Sequence, residues 1–369
     1  MLRSIMAECR ERQPGCMITM VPSGPEGHQP FRLLVGAGLF PRFGIDRIGG
    51  SLNGLGDFIP HRLRRRYGLI LESEVDVVFD AAGFSYGDPW PESNLRSLAS
   101  AAQRAADRGA KFFLLPQSFG EFSSKKSRAL IKSVADSATW MFARDQTSLN
   151  NLREILEDRV RMSLAPDFTS LLPGATPKDP ERFRNTVAVI PNVKMLQRTD
   201  RVTQMNYLPI LASAIGLIRR AELDPLIVIH EGSGDRELSD KLRHLLPDTP
   251  VIDESDPIVL KGILGSCLGS IGSRYHGLVS CLSQGVPCLA TAWSAKYESL
   301  LSAYGISDAL LDPRQPEGVE RRINRWLANE LTSADLRTSL LSFAHAERRR
   351  SRAMWEQIFA GGHGSISQG

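Results

Sequence analysis

The run from Leu268 to Glu298 reads Leu-Gly-Ser-Ile-Gly-Ser-Arg-Tyr-His-Gly-Leu-Val-Ser-Cys-Leu-Ser-Gln-Gly-Val-Pro-Cys-Leu-Ala-Thr-Ala-Trp-Ser-Ala-Lys-Tyr-Glu. Its periodicity predicts a strand over Leu268–Ile271, a helix over Gly277–Ser283 capped by Gly285, and a strand over Pro287–Thr291. Open α/β sheets gather ligand groups at the carboxyl ends of their strands, beside the first turn of the next helix. Ser273, Arg274, Tyr275 and His276 fall at that place. Free N–H groups of the helix favour an anion there, arginine adds a planar fork, and histidine titrates near neutrality. The second polar turn repeats the pattern with Ser294, Lys296, Tyr297 and Glu298. These residues alone leave two readings level. Either the turn binds an anion, or Arg274 pairs with a neighbouring carboxylate and His276 is an N-terminal cap in ordinary packing.

Upstream of this run the same alternation recurs. Strands are expected at Thr186–Ile190, Pro225–His230 and near Val251. They are separated by a helix carrying Met205, Leu208, Leu211, Ile215 and Ile218, a helix ending at Leu246, and a helix over Pro257–Cys267. Residues 173–184 hold Pro173, Gly174, Pro177 and Pro180 with few apolar residues, and read as a linker. Before it, strands at Val75–Ala81, Lys111–Leu115, Thr139–Ala143 and Arg161–Ala165 alternate with helices at Asn94–Asp107, Ser124–Ser137 and Thr147–Glu157. Repeated βα units of this kind imply parallel sheets covered on both faces. The expected organisation is an N-terminal α/β domain over residues 1–172, the linker, and a C-terminal α/β domain over 185–369. The closing helix, Ser333–Phe359, is long enough to return to the first domain. Residues before Val75 are less periodic: a helix at Leu2–Glu11, strands at Cys16–Val21 and Phe31–Val35, a glycine-rich basic stretch over Gly36–Arg66, and within it a loop at Gly50–Asp57.

Composition bounds the class. A hydrophobic fraction of 42% and a charged fraction of 23% are those of a globular protein, and 369 residues suffice for two domains. No apolar run reaches the length of a membrane span, and the first twenty residues lack a secretory apolar core, so a cytoplasmic location is expected. A net charge of +4 is too mild to imply nucleic acid. The positive charge is local, in His61-Arg62-Leu63-Arg64-Arg65-Arg66 and Arg348-Arg349-Arg350-Ser351-Arg352. Either cluster suits an anionic membrane surface or a phosphate-bearing acceptor, although solvated helix faces are the ordinary explanation, and peripheral membrane association stays open. Five scattered cysteines without close pairs read as reduced and mostly buried, and no Asp/His cluster has metal-ligand spacing.

At Ser273-Arg274-Tyr275-His276-Gly277, followed by Gly285-Val286-Pro287 and Lys296-Tyr297, the chain resembles the polysaccharide pyruvyl transferase family. Asp80-Ala-Ala-Gly-Phe-Ser-Tyr-Gly-Asp88, Leu115-Pro-Gln-Ser-Phe-Gly120 and Ala143-Arg-Asp-Gln-Thr-Ser148 fit the N-terminal half of the same family, so the resemblance covers roughly residues 75–305. It implies two Rossmann-like domains facing across a cleft, as in B-type glycosyltransferases. It also implies phosphoenolpyruvate as co-substrate without a cofactor, and a sugar or lipid-linked oligosaccharide as acceptor, the two joined as a cyclic pyruvate ketal. By that resemblance Arg274, with Ser273 and Tyr275, holds the donor; Lys194 and Lys296 add positive charge. His276 is acid or phosphate contact, and Asp88, with Asp80 in reserve, takes the acceptor's proton. The family begins with a strand and a Gly-x-x-Asn-x-Gly-Asp loop before a helix, and here Met1 reads as already inside that helix. The N-terminal domain is therefore expected to lack its first strand, Gly50–Asp57 coming too late in the order to replace the loop. Two other functions fit the architecture: a glycosyltransferase with a nucleotide-sugar donor, and a non-catalytic relative that binds a glycan or a partner.

Overall fold

The computed structural model describes residues 1–21, 30–43, 46–47, 50–51, 56, 58–156 and 161–360; the run read as a loop at Gly50–Asp57 lies mostly outside them. The chain divides into two compact units, Met1–Leu164 with Gln357–Gly369, and Ala165–Glu356. Residues 173–184 lie inside the second unit, where the amide of Ala175 donates to the carbonyl of Ile258 at 2.9 Å.

The first unit opens with α1 (Leu2–Arg12), β1 (Thr19–Met20), α2 (Pro30–Gly36), β2 (Phe40–Pro41), β3 (Asp46–Arg47), β4 (Gly50–Ser51) and α3 (His61–Tyr67). Phe31–Val35, expected as a strand, is helix α2; a short apolar run has no period that separates the two. Then β5 (Val77–Asp80), α4 (Glu92–Asp107), β6 (Lys111–Gln117), α5 (Lys125–Ser137), β7 (Trp140–Ala143), α6 (Gln146–Leu156) and β8 (Met162–Leu164) alternate, and β5-β6-β7-β8 form one parallel sheet. Strand β6 is apolar almost throughout and buried from Phe112 to Gln117, as a central parallel strand covered on both faces must be. Helix α4 turns Leu95, Leu98, Ala99, Ala102 and Ala105 inward at helical spacing.

The second unit runs β9 (Thr186–Ile190), α7 (Lys194–Gln197), α8 (Arg201–Arg220), β10 (Asp224–Ile229), α9 (Gly232–Leu245), β11 (Val251–Asp253), α10 (Pro257–Ser266), β12 (Gly269–Gly272), α11 (Tyr275–Leu282), β13 (Cys288–Thr291), α12 (Lys296–Ala303), β14 (Leu310–Leu311), α13 (Pro316–Asn329) and α14 (Ala334–Ala360). Its sheet is parallel, in the order β11-β10-β9-β12-β13-β14. Counted from β9 that order is 3-2-1-4-5-6, the doubly wound arrangement of dinucleotide-binding domains. The expected strands β9, β10, β12 and β13 stand within a residue or two of their predicted bounds. On α8 the buried face is Tyr207, Ile210, Leu211, Ala214, Ile215, Leu217 and Ile218, and Met205, expected on that face, is exposed. Helix α11 begins at Tyr275, two residues earlier than predicted, so Tyr275 and His276 belong to its first turn and not to the preceding loop. Gly285 closes it as expected: its φ is +75°, and the amide of Val286 reaches back to the carbonyl of Cys281 at 3.1 Å. Among the described residues no helix is long and apolar enough to cross a membrane.

Candidate functional site at the switch point of the second unit

Strand order reverses between β9 and β12, and the crevice outside the carboxyl ends of such a pair is where open α/β sheets bind ligands. Pro191-Asn192-Val193-Lys194 leaves β9 there, and Ser273-Arg274-Tyr275-His276 leaves β12. The two turns are tied together. Asn192 Nδ2 donates to the carbonyl oxygen of Ser273 at 2.6 Å, and Tyr297 OH donates to the same oxygen at 2.7 Å. Ser273 itself is fully buried, its Oγ 2.6 Å from both Tyr207 OH and Thr291 Oγ1. The structure therefore gives Ser273, expected as a donor contact, the job of a strut: its hydroxyl is spent inside the unit. Tyr275 is likewise buried, packed edge-on against Tyr297 and His276.

Arg274 does not hold out an open fork. Its Nε and Nη2 donate to the two oxygens of Asp235 at 2.6 Å each, and Nη1 pairs with Glu231. Of the two readings left by the tetrapeptide, pairing with a carboxylate is what the folded chain does. The partners differ, however. Asp235 is fully buried and also accepts the amide of Val193 at 3.0 Å, whereas Glu231 is 71% exposed. A guanidinium anchored on one side by a buried carboxylate and capped on the other by an exposed one can exchange the exposed partner for another anion.

His276, on the first turn of α11, places Nε2 3.3 Å from Oδ2 of Asp167. Asp167 is buried at the start of a short 3-10 helix, Phe168–Leu171, and its other oxygen accepts the amide of Thr169 at 3.0 Å and the Thr169 hydroxyl. Lys261 closes this layer, donating from Nζ to the Thr169 carbonyl at 2.8 Å. Burial pushes the Lys261 ammonium down to about 8. His230, just beyond β10, is pushed down to about 3 by burial and by His276 and Arg274 nearby, so it is neutral at ordinary pH. Gly277 allows this closeness, since a Cβ there would meet Ile190 Cδ1 at 3.1 Å and His230 Cδ2 at 3.3 Å.

Lys194 begins α7; its amide donates to Asn192 Oδ1 at 2.9 Å and its Nζ to Gln197 Oε1 at 3.2 Å. Lys296 begins α12 with Nζ over the rings of Trp293, Tyr275 and Tyr297, at 4.5, 5.4 and 5.5 Å from their centroids. Aromatic faces hold the ammonium without neutralising its charge.

In the first unit the sheet's carboxyl edge carries its own polar group. Asp80, the last residue of β5, accepts from Tyr86 OH at 2.9 Å and from Gln117 Nε2 at 3.1 Å, and burial pushes its carboxyl up. Asp88, expected as the base, is exposed and takes the amide of Ser123 with both oxygens at 3.1 Å. It caps a turn. Ser118 Oγ donates to Asp145 Oδ2 at 2.8 Å and accepts from Arg144 Nη2 at 2.9 Å, while the amide of Phe119 donates to Ser148 Oγ at 2.8 Å.

The sequence profile of polysaccharide pyruvyl transferases matches residues 39–295. The chain belongs to the polysaccharide pyruvyl transferase family. The matched span takes in residues 50–57 as well as both switch-point turns. No curated protein matches the chain. Among solved structures it is similar to HepE of Anabaena in complex with UDP and glucose (12% identity over 98% of this chain and 95% of that one, TM-score 0.60). It is also similar to MnaA of S. aureus with UDP (8%, 99% and 94%, 0.57) and to the UDP-GlcNAc 2-epimerase of Neisseria meningitidis bound to UDP-GlcNAc (10%, 97% and 96%, 0.56). At such identities the likeness is one of fold. This pyruvyl transferase family member thus has two Rossmann-like α/β domains, a fold it shares with those structures.

Sequence reasoning located the turns and missed the residues behind them. Asp167 and Lys261 sit on elements that bear no motif, and only the fold brings Asp167 to His276 and Lys261 to the Thr169 carbonyl beside it; Asp235 lies in the polar run after a predicted strand, but nothing in the sequence pairs it with Arg274. His230 carried one usable signal, its place at the end of a predicted strand.

Proposed function

We propose that the protein transfers a pyruvyl group from phosphoenolpyruvate to two hydroxyls of a sugar in a polysaccharide or lipid-linked oligosaccharide precursor. What carries the reading is the pair at the switch point: His276 on a helix N-terminus, backed by buried Asp167, beside Arg274 backed by buried Asp235. Phosphoenolpyruvate is a compact trianion, and fixed cations with helix N–H groups are its natural partners. In this reading a donor carboxylate or phosphate displaces Glu231 from Arg274 Nη1, and Lys194 and Lys296 supply further positive charge.

We assign the proton for the donor to His276 Nδ1, the ring nitrogen away from Asp167, whose Oδ2 lies 3.3 Å from Nε2 without a hydrogen bond to it. That proton passes to the methylene carbon, making the methyl group and a cationic C2. One sugar oxygen attacks C2 and loses its proton to a carboxylate. The C2–O bond to phosphate then breaks, and the second sugar oxygen closes the ketal, its proton leaving with phosphate. Asp88 and Asp80 are the candidates for that carboxylate: Asp88 is exposed and takes the Ser123 amide, while Asp80 stands buried at a strand end with its carboxyl raised and held by Tyr86 and Gln117.

The test is phosphate release from phosphoenolpyruvate over a panel of sugar acceptors, alongside calorimetry with phosphoenolpyruvate and with UDP. Acceptor-dependent release that falls at least about a hundredfold in His276→Gln supports the assignment. Tight UDP binding with no phosphoenolpyruvate binding overturns it in favour of a nucleotide-sugar donor.

A further inference from the structure

Helix α3 buries none of its seven residues. Arg64 turns toward the body of the unit and pairs with Glu74. Everything else faces out. Leu63 and Tyr67, four apart and so on one face, are 48% and 69% exposed, and Phe58 just before the helix is 83% exposed. Phe40 extends this face, its ring approaching Gly68 at the helix end; a Cβ on Gly68 would meet it at 3.2 Å. Arg62 and Arg66, again four apart, flank the apolar stripe, and Arg65 is exposed with them. None of these three arginines has a hydrogen-bond or ion-pair partner among the described residues.

Charge around the helix is unbalanced. Residues 58–71 contain no acidic side chain. The two glutamates that follow are engaged, Glu74 by Arg64 and buried Glu72 by Arg104, Arg108 and Arg42 at 3.1, 3.2 and 3.7 Å. A solvated basic helix would have no reason to carry Leu63, Tyr67 and Phe58 outward together. A nucleic-acid duplex, its bases already stacked, would use the arginines and leave Leu63 and the exposed rings idle. Apolar and aromatic side chains between arginines match a bilayer surface, where rings and arginine stems sit at headgroup depth and anionic lipids attract the guanidinium groups.

We propose that the outer face of α3, with Phe58 and Phe40, docks the protein on an anionic lipid bilayer. The inference rests on the first unit alone and is independent of the donor assigned above. The test is flotation of the full chain with phosphatidylglycerol-containing vesicles and with pure phosphatidylcholine vesicles, at low and physiological salt. The expected result is recovery with the anionic vesicles only, reduced more than about tenfold by the triple change Arg62→Ser, Arg65→Ser, Arg66→Ser. Leu63→Ser with Tyr67→Ser lowers recovery several-fold at unchanged charge, and Tyr67→Trp gives blue-shifted emission quenched by brominated lipid. Arg321→Ser with Arg349→Ser and Arg352→Ser, exposed arginines on α13 and α14, is the charge-matched control and leaves binding intact. Because the altered side chains are exposed, each variant keeps the wild-type unfolding midpoint. No recovery with anionic vesicles, equal loss in the control, or binding to a DNA duplex as tight as to vesicles overturns the proposal.

Discussion

A single carboxylate decides what Arg274 is for. Asp235 is fully buried and compensates the guanidinium while holding the Val193 amide, so Asp235→Asn leaves a charge without its partner. The expected cost is about 3 kcal/mol or more by urea unfolding, with donor binding lost as the Lys194 turn loosens. Glu231 is the counter-case. Its pair with Arg274 is exposed, so Glu231→Gln changes stability by less than about 1 kcal/mol. If the donor takes its place, the same substitution lowers the KM for phosphoenolpyruvate and spares kcat; a raised KM would count against the exchange. In the proposed reaction Asp167 acts through His276, as a positioning residue. Asp167→Asn should therefore change the pH profile of kcat as well as its size, with Asp167→Glu restoring much of both. A variant that loses stability but keeps the wild-type profile would reduce Asp167 to a cap for the Phe168–Leu171 turn.

Among the elements, those the sequence made legible are the ones whose burial is two-sided. Strands β6, β9 and β13 are near-continuous apolar runs because helices cover both faces, and Gly285 marks the end of α11 because only a left-handed residue fits there. Helix α2 was illegible for the opposite reason, a run too short to show a period, and α3 because it packs no apolar face at all. The candidate site shows the same divide. Its turns could be read, since strand ends are visible in sequence; the carboxylates behind them could not, since Asp167 and Asp235 lie 109 and 39 positions from the residues they serve (276 − 167 and 274 − 235). Gly285 tests the element directly. A side chain there meets a φ of +75° and Leu341 Cγ at 2.7 Å, so Gly285→Ala should cost about 1–3 kcal/mol by thermal unfolding and leave the KM for phosphoenolpyruvate unchanged.

For the whole molecule, fold likeness and family membership answer different questions. Structures that hold UDP share the architecture at 8–12% identity, so the donor is set by side chains and not by the doubly wound sheet. One of those side chains links the site to global stability. Lys261 lies under the Asp167 layer with its ammonium pushed down to about 8 from 10.5, chiefly by burial; Asp167 and Cys281 oppose that shift and Arg348 adds to it. Between those two values the unfolded chain binds the extra proton and the folded chain does not, so stability from this group rises with pH. Below about 8 both states are protonated and the full cost of the buried charge is present; above 10.5 it is gone. Other tyrosines and cysteines titrate in the same window, so the quantity to follow is the difference between wild type and Lys261→Met. That difference should shift in favour of wild type by up to about 3 kcal/mol between pH 8 and 10.5, at about 1.4 kcal/mol per pH unit, in denaturant unfolding. A flat difference would mean that Lys261 stays charged in the folded protein, held by Asp167 and the Thr169 carbonyl strongly enough to offset its burial.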